Sequence, residues 1–233
     1  AITGGEMKKL GSFEHGDKKY IHATDRSSNQ TASEYKHLSK EAKMLAGLKA
    51  DGLDVPNVYD ANPKGQAADT HTGVSHQPGS NPCIVMDYVD GTNIDFWKFS
   101  DQGIPKAEQH VEAVKAGGKA LDEIPKVIKG LGKILNYLKT NIVVDLQVIL
   151  EYKTGRAVII DPQTVFPLRD KAAAAKYGAE HRTAVKSIEN TKKHLEARNL
   201  ELRESSWEAP KTPNQYPATN AKIGRKGVGT DRN

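Results

Sequence analysis

The stretch NIVVDLQVILEYKTGRAVIIDPQTVFP, residues 141–167, decides the fold, because it places two aspartates in a largely apolar and β-branched sequence. Asp145 follows the run IVV, and Asp161 follows the run VII. Short β-branched runs of this kind are typical of buried strands. One aspartate after a strand is an ordinary turn residue, but two in the same stretch indicate a shared role.

The residues between the two aspartates predict a β-hairpin. VILEY and RAVII favour strands, and a glycine-containing turn separates them. The outer ends of this hairpin bring Asp145 and Asp161 together, where two carboxylates repel each other unless a positive charge lies between them. A divalent cation supplies that charge, and carboxylate and amide oxygens suit Mg²⁺. Gln147, two residues after Asp145, is the candidate amide ligand.

The composition is that of a globular protein with a substantial core. The chain has 233 residues, of which 37% are hydrophobic and 27% are charged. This is enough for one large domain or two small ones that share a cleft. Apolar runs of about four residues are too short to cross a bilayer, and the N-terminal residues lack a signal-peptide pattern. The single cysteine, Cys83, excludes an internal disulfide and is expected to fill a buried strand.

The net charge of +5 is concentrated near the end of the sequence. Between residues 210 and 233, five lysines and arginines stand against one aspartate, so this segment carries +4. Its high content of Pro, Gly, Asn and Thr predicts disorder. The rest of the chain is nearly neutral, has no stripe of basic and aromatic residues, and scatters its histidines. These features disfavour a toxin that acts on nucleic acid.

The other elements follow from periodicity and turn residues. In order, the sequence predicts strands around a turn at EHGD, a helix ended by Gly52, a polar loop at 61–81, a buried strand at PCIVMDY, helices over 105–139 and a long helix at about 169–200. One apolar stripe at helical spacing is formed by Ile124, Ile128, Leu131, Leu135 and Leu138. The chain is therefore expected to be α+β, with a small β part that holds one helix and a helical part with one inserted hairpin.

This order of elements resembles the protein kinase-like fold. IVMDYVDG is similar to the strand, gatekeeper and hinge between the two kinase lobes, which implies that Met86 is the gatekeeper. The hinge residues that would offer backbone groups to adenine are Asp87, Tyr88 and Val89. SKEAKMLAGL resembles helix C, with Glu41 in the place of its glutamate.

The opening stretch carries the second half of the resemblance. VVDLQ is similar to a catalytic loop and VIIDP to the strand that ends in a metal-binding aspartate. The form DLQ, then apolar residues, then DP resembles the minimal kinase domains of bacterial effectors and polymorphic toxins. The organisation that this implies is a two-lobed α+β fold with an N-lobe at 1–89, a C-lobe at 90–205 that contains a catalytic hairpin at 142–162, and a basic tail at 206–233.

The sequence departs from the kinase pattern around both aspartates. Valines precede Asp145, where kinases usually have His or Tyr and then Arg or Gly. Leu150 stands where kinases have a metal-binding asparagine, which makes Gln147 the candidate replacement. Asp161-Pro162-Gln163 stands in place of Asp-Phe-Gly.

A lysine that kinases carry on their third strand, paired to the helix C glutamate, is missing from KKYIHATD. Alternate residues share one face of a strand, so if Ile21 covers the adenine, Ala23 occupies the lysine position. Three explanations follow. The chain is an inactivated variant, it is a natural pseudokinase, or a shifted register lets Lys18 or Lys19 reach the phosphates.

The resemblance implies a phosphotransferase that uses ATP and Mg²⁺. Asp145 would accept or orient the hydroxyl proton of the substrate, while Asp161 and Gln147 would hold the metal. Glu41 would position the phosphate-binding lysine. Two glycines, Gly4 and Gly5, resemble the end of a glycine-rich phosphate loop, although plain turns also use such pairs.

The same resemblance implies the biological setting. The expected substrate is a Ser, Thr or Tyr hydroxyl on a protein of a target cell, so the chain is expected to be a secreted bacterial effector or toxin that acts in the target-cell cytoplasm. A cognate immunity or chaperone protein is a further expected partner. Transfer of AMP is an alternative chemistry. The alternative function is a pseudokinase or binding module that sequesters a host or immunity protein, which the missing lysine favours and the two aspartates oppose.

Overall fold

A computed structural model of the chain describes residues 8–25, 35–62 and 83–206. It is α+β, with a sheet-rich N-terminal part and a helical C-terminal part. The strands are β1 (Lys8–His15), β2 (Lys18–Asp25), β3 (Val58–Asn62), β4 (Cys83–Asp87), β5 (Gly91–Asp95), β6 (Asn141–Val144), β7 (Gln147–Glu151), β8 (Ala157–Ile160) and β9 (Thr164–Pro167). The helices are α1 (Tyr35–Ala50), α2 (Gly103–Ala116), α3 (Ala120–Leu138) and α4 (Lys171–Ser206).

The N-terminal part is an antiparallel sheet of order β1-β2-β4-β3, with α1 packed on it. The predicted first hairpin is confirmed, and Gly16 takes a φ of 59° in its turn. The predicted end of α1 is also confirmed, because Gly52 has a φ of 83° and donates its N–H to the Lys49 carbonyl at 3.0 Å. Glycine suits both positions, since it adopts positive φ without steric cost.

The C-terminal part is built around α3 and α4. The predicted apolar stripe of α3 is confirmed, with Ile124, Leu131 and Leu138 buried and Ile128 and Leu135 packed against the same core. The long helix predicted at about 169–200 is α4, which continues to residue 206. In the described parts of the chain, no helix combines the length and hydropathy that a bilayer crossing requires.

The expectation of a single inserted hairpin in this part is wrong. The predicted pair is present as β7 and β8, but β5 joins it to form a three-stranded sheet, and β6 pairs with β9. The sequence of β5, GTNID, is rich in turn formers, which conceals the alternation that buries Thr92 and Ile94. Gly91 begins this strand because a Cβ there would collide with the Leu150 carbonyl.

Some predicted features lie outside the described residues. They are Gly4, Gly5, nearly all of the loop at 61–81, and the tail at 206–233 apart from its first residue. The site residues that remain belong to β2, α1, β4, the two residues after β4, and the segment from β6 to β9.

Candidate functional site

Asp145 and Asp161 share an uncommon backbone conformation. Their φ angles are 60° and 49°, and they are the two non-glycine residues with positive φ in the described segments. Aspartate tolerates this left-handed region better than most residues, yet each instance costs about 1–3 kcal/mol. Such strained residues cluster at functional sites. Two strained aspartates, each directly after a strand, therefore mark the same place as the sequence pattern.

Backbone hydrogen bonds hold the two aspartate turns against each other. The N–H of Gln163 donates to the carbonyl of Val144 at 3.1 Å, which joins the turn after β8 to the end of β6. Pairing of Gln147 with Ile160 joins the strand after Asp145 to the strand before Asp161. The proximity expected from the hairpin is thus reached, and the charge of Asp161 contributes to raising the pKa of Asp145.

The carboxyl group of Asp145 lies in an environment that resists ionisation. Burial is the main cause that raises its pKa, and the carboxylates of Asp95 and Asp161 add to it. The positive charge of Lys98 acts in the opposite direction. Lys98 Nζ lies 3.5 Å from Asp145 Oδ1, and the Asp145 side chain is 21% exposed. The carboxyl group is thus partly shielded from water but reachable.

Sequence reasoning missed Lys98 and the residue that positions it. Asp95 Oδ1 accepts hydrogen bonds from the backbone N–H groups of Trp97 at 3.0 Å and Lys98 at 2.8 Å. The same turn is tied to the Asp145 turn, because the Phe96 N–H donates to the Leu146 carbonyl at 3.1 Å. The sequence carries only an ordinary Asx turn here, so Lys98 had no signal that distinguished it from other surface lysines.

Gln147 is the first residue of β7, the central strand of the three-stranded sheet. It pairs with Asp95 on one side and with Ile160 on the other, and it is half-buried. Among the residues that the structure describes, no group of three or more His, Cys, Asp or Glu side chains could hold a metal ion. The candidate donors are therefore two carboxylates and an amide, a set that matches Mg²⁺ only when water and phosphate oxygens complete the shell.

The face of β2 that carries Ile21 and Ala23 is shared with β4. Ile21 pairs with Met86 and Ala23 with Ile84, and paired residues of antiparallel strands lie on one face of the sheet. Ala42 of α1 packs against the same cluster. Ala23 is fully buried and Met86 is 8% exposed. The expected adenine cover, lysine position and gatekeeper thus form one surface.

Glu41 is buried at the start of the inner face of α1. It is 6% exposed and shares that face with Leu45 and Leu48, which enter the main core. The next residue, Ala42, packs in the cluster that contains Ala23. A buried carboxylate at this junction is unusual for a purely structural helix, because glutamate is rarely buried.

The segment 87–89 uses two of its three N–H groups inside the protein. The Asp87 N–H donates to the Asn57 carbonyl at 3.0 Å, and the Tyr88 N–H donates to the Lys19 carbonyl at 3.2 Å. The Asp87 side chain accepts a hydrogen bond from Asn57 Nδ2 at 2.6 Å. Within the described residues, the Val89 N–H makes no hydrogen bond, and Val89 itself is 8% exposed.

The register of β2 does not favour a substitute lysine from its own start. Lys18 pairs with His15 at the turn end of the strand, and the eight positions pair in regular order. Lys19 Nζ lies 4.2 Å from the centroid of the Tyr88 ring, in a cation–π contact. Lys19 is four positions from Ala23, about 13 Å along an extended strand. The observed register therefore offers neither Lys18 nor Lys19 as a substitute at Ala23, the position where the resemblance expects the lysine.

No protein-family model matches the chain, and no curated protein is significantly similar to it. The features that bear on function are therefore the positions of Asp145, Asp161 and Lys98 in the fold.

Proposed function

We propose that the protein is an ATP- and Mg²⁺-dependent phosphotransferase with a compact, two-lobed kinase-like fold. The observation that carries the proposal is the pair of left-handed aspartates, Asp145 and Asp161, held together at the ends of β6 and β8. A structural turn needs neither the backbone strain nor the repulsion between two carboxylates. Phosphoryl transfer needs both groups, one for the acceptor hydroxyl and one for the metal.

Asp145 serves as the group that accepts or orients the hydroxyl proton. Its raised pKa brings it closer to the working pH, where proton acceptors are most effective. Lys98 favours the ionised form of this carboxylate and adds positive charge where the transferred phosphoryl group would approach. The Asx turn at Asp95 fixes the backbone from which Lys98 extends.

Asp161 and Gln147 are the residues that would hold Mg²⁺. Two nearby carboxylates with one lysine leave a local excess of negative charge, which favours a cation. When bound, the ion neutralises charge on the phosphates of ATP. The amide of Gln147 contributes an oxygen without further negative charge, as in other hard-ligand sites.

The nucleotide would lie between the β2–β4 face and the C-terminal strands. Ile21 and Met86 supply apolar contact for adenine, and the N–H of Val89 supplies a hydrogen bond. The acceptor is a hydroxyl on a target-cell protein, and the protein acts as a secreted bacterial effector or toxin with a cognate immunity or chaperone partner. The acceptor, the secretion and the partner are proposed from the resemblance in sequence alone.

A second candidate function is a pseudokinase that binds a host or immunity protein without catalysis. The observation that favours it is Ala23, which is fully buried at the position of the phosphate-binding lysine. Glu41 then has no strand lysine to position. Lys98 favours the enzyme over the pseudokinase, because it supplies a cation beside Asp145 from a different segment of the chain.

The test is transfer of label from ATP to protein. Incubation with ATP labelled in the γ-phosphate, and separately in the α-phosphate, distinguishes phosphoryl from AMP transfer onto the protein itself or a general protein acceptor. The proposal predicts Mg²⁺-dependent γ-label transfer that Asp145→Asn abolishes and that Asp122→Asn, at an exposed position on α3, leaves intact. Absence of transfer with retained ATP binding would select the pseudokinase.

A further inference from the structure

A groove lined by basic residues runs between the C-terminal end of α3, the end of β9 and α4. It consists of two adjoining cavities of about 680 Å³ and 500 Å³, which share Lys139 and Leu168. We propose that this basic groove docks an acidic peptide segment of a protein partner. The groove lies apart from the two aspartates and stands on its own residues.

Cations outnumber carboxylates in the basic groove by four to one. Four exposed cations line it, namely Lys139, Arg169, Arg182 and Lys186, and Glu189 is its one acidic residue. Across the described segments, none of the four cations forms a salt bridge, whereas lysines and arginines elsewhere on α4 do. Like charges gathered in a concave surface create a positive potential that attracts an anionic partner.

The pKa of His181, a buried residue of the groove, is lowered in part by this positive charge. His181 lines the cavity of about 500 Å³ beside α4 and is 6% exposed. Burial lowers its pKa first, and the charge of Arg182 lowers it further, against a raising contribution from the backbone of Leu138. A neutral histidine under a cationic rim adds no positive charge of its own, so the rim sets the preference for an anion.

The floor of the basic groove is apolar, which favours a peptide over a nucleic acid. It is formed by Leu135, Leu138, Leu168 and Val185, and Leu168 is 36% exposed. No Phe, Tyr or Trp is among the described residues that line it, so the groove lacks the large aromatic rings on which single-stranded bases stack best. Acidic residues flanking an aliphatic side chain match a cationic rim over an apolar floor.

The tail of the same chain does not match this groove. The segment 207–233 carries five lysines and arginines and two acidic residues, so its net charge has the same sign as the rim. The complementary occupant is therefore an acidic segment from another protein.

The groove and the aspartates lie at opposite ends of the β6–β9 ladder. Asn141 pairs with Pro167 at the groove end, and both line the groove, while Val144 pairs with Thr164 next to Asp145. Four residues of strand span about 13 Å. This distance matters only if the proposed function holds. In that case, about four extended residues of the substrate separate the docked acidic segment from the acceptor hydroxyl at Asp145.

The experiment is fluorescence anisotropy with a fluorescein-labelled peptide of alternating glutamate and leucine. Three proteins are compared at low salt: the unaltered chain, an Arg182→Glu/Lys186→Glu variant, and a Lys193→Glu/Arg203→Glu control that makes the same charge change on exposed positions of α4 outside the groove. Circular dichroism checks that all three keep their helix content.

The proposal predicts that the groove variant binds the peptide about ten-fold more weakly and that the control changes affinity less than about two-fold. Three results would overturn it: no binding by the unaltered chain, equal losses in both variants, or tighter binding of a single-stranded oligonucleotide of equal charge. Asp145→Asn separates the two proposals, because it should bind the peptide normally. If the chain binds the peptide but shows no ATP turnover, the docking proposal stands and the proposed phosphotransferase function is wrong.

Discussion

Lys98 Nζ lies 3.5 Å from Asp145 Oδ1, although the two residues belong to turns that follow different strands. Hydrogen bonds from the Phe96 N–H to Leu146 and from the Lys98 N–H to Asp95 hold these turns in place. The contact supplies a cation beside the residue that the proposed function assigns as the base, and the same proposal places Ala23 at the position of the strand lysine.

Substitution of Lys98 by methionine tests this contact. Lys98 lowers the pKa of Asp145, so its loss raises that pKa further. Because a base must be ionised to act, the acid limb of the activity profile moves to higher pH. Turnover above that limb also falls by about ten-fold or more, as charge beside the phosphoryl group is lost. Phosphotransfer measured from pH 5 to 9, at steps of about one pH unit, checks both effects.

Lys129→Met, at an exposed position of α3, is the control and should change neither the acid limb nor the turnover. If both variants gave the same pH profile, the role of Lys98 would be contradicted.

Asp145→Asn is expected to stabilise the fold at neutral pH. Burial, with the carboxylates of Asp95 and Asp161, raises the pKa of Asp145 against the lowering effect of Lys98. The folded state therefore holds the proton more tightly than the unfolded state, and ionisation destabilises it as pH rises through the folded pKa. Urea unfolding at several pH values should show a gain near pH 7 that shrinks towards the unfolded pKa of about 3.9. A gain that is constant with pH would come from the relief of backbone strain alone.

Gly155→Ala tests the hairpin that carries the two aspartates. Gly155 has a φ of 69°, and a Cβ there would lie 2.6 Å from the Glu123 carbonyl oxygen. We expect a loss of about 2–4 kcal/mol in the free energy of unfolding, from left-handed strain plus this collision. Gly16→Ala is the matched control, because Gly16 has a φ of 59° and no atom within 4 Å of the new Cβ. The control should lose only about 1 kcal/mol. Equal losses would show that the contact with Glu123 is unimportant.

His110 makes the stability depend on pH in the acid range. It is fully buried, with its ring centroid 5.4 Å from that of Tyr152, and burial lowers its pKa to about 4. The unfolded pKa is about 6.5, so protonation favours the unfolded state as pH falls from there. Between pH 7 and 4 this residue removes about 3 kcal/mol of stability. Chemical denaturation of His110→Leu should show a flatter decline, and exposed His15→Leu should not. An unchanged slope in His110→Leu would contradict the assignment.

The sequence was sufficient where burial follows a simple period. The stripe of α3 from Ile124 to Leu138 and the β7–β8 hairpin were both predicted, because apolar residues recur at steps set by the helix and the strand. The proximity of Asp145 and Asp161 followed from that hairpin. These features are set by residues close together in the sequence, so the spacing of apolar residues is enough to predict them.

Features that depend on contacts between distant segments were not predictable. The strand β5 was missed because Gly91 and Asn93 are residues that favour turns, and because its partner β7 lies far along the chain. Lys98 was missed because its importance comes only from the fold that brings it to Asp145. The left-handed angles of both aspartates were missed as well, since no residue pattern specifies them.

Nucleotide binding is the most direct test of the central claim, that the β2–β4 face and the two aspartates form an ATP site. Isothermal titration calorimetry with ATP, with and without Mg²⁺, compares the unaltered chain, Asp161→Ala and Ala23→Lys. His22→Lys is the control, because His22 is next to Ala23 on the opposite face of β2.

The proposed function predicts ATP binding that requires Mg²⁺ and is lost in Asp161→Ala. Binding should tighten by about ten-fold in Ala23→Lys, through a charged hydrogen bond to phosphate, and should not tighten in His22→Lys. Absence of any nucleotide effect in the unaltered chain and in all three variants would contradict it, and would leave Asp145 and Asp161 as turn residues.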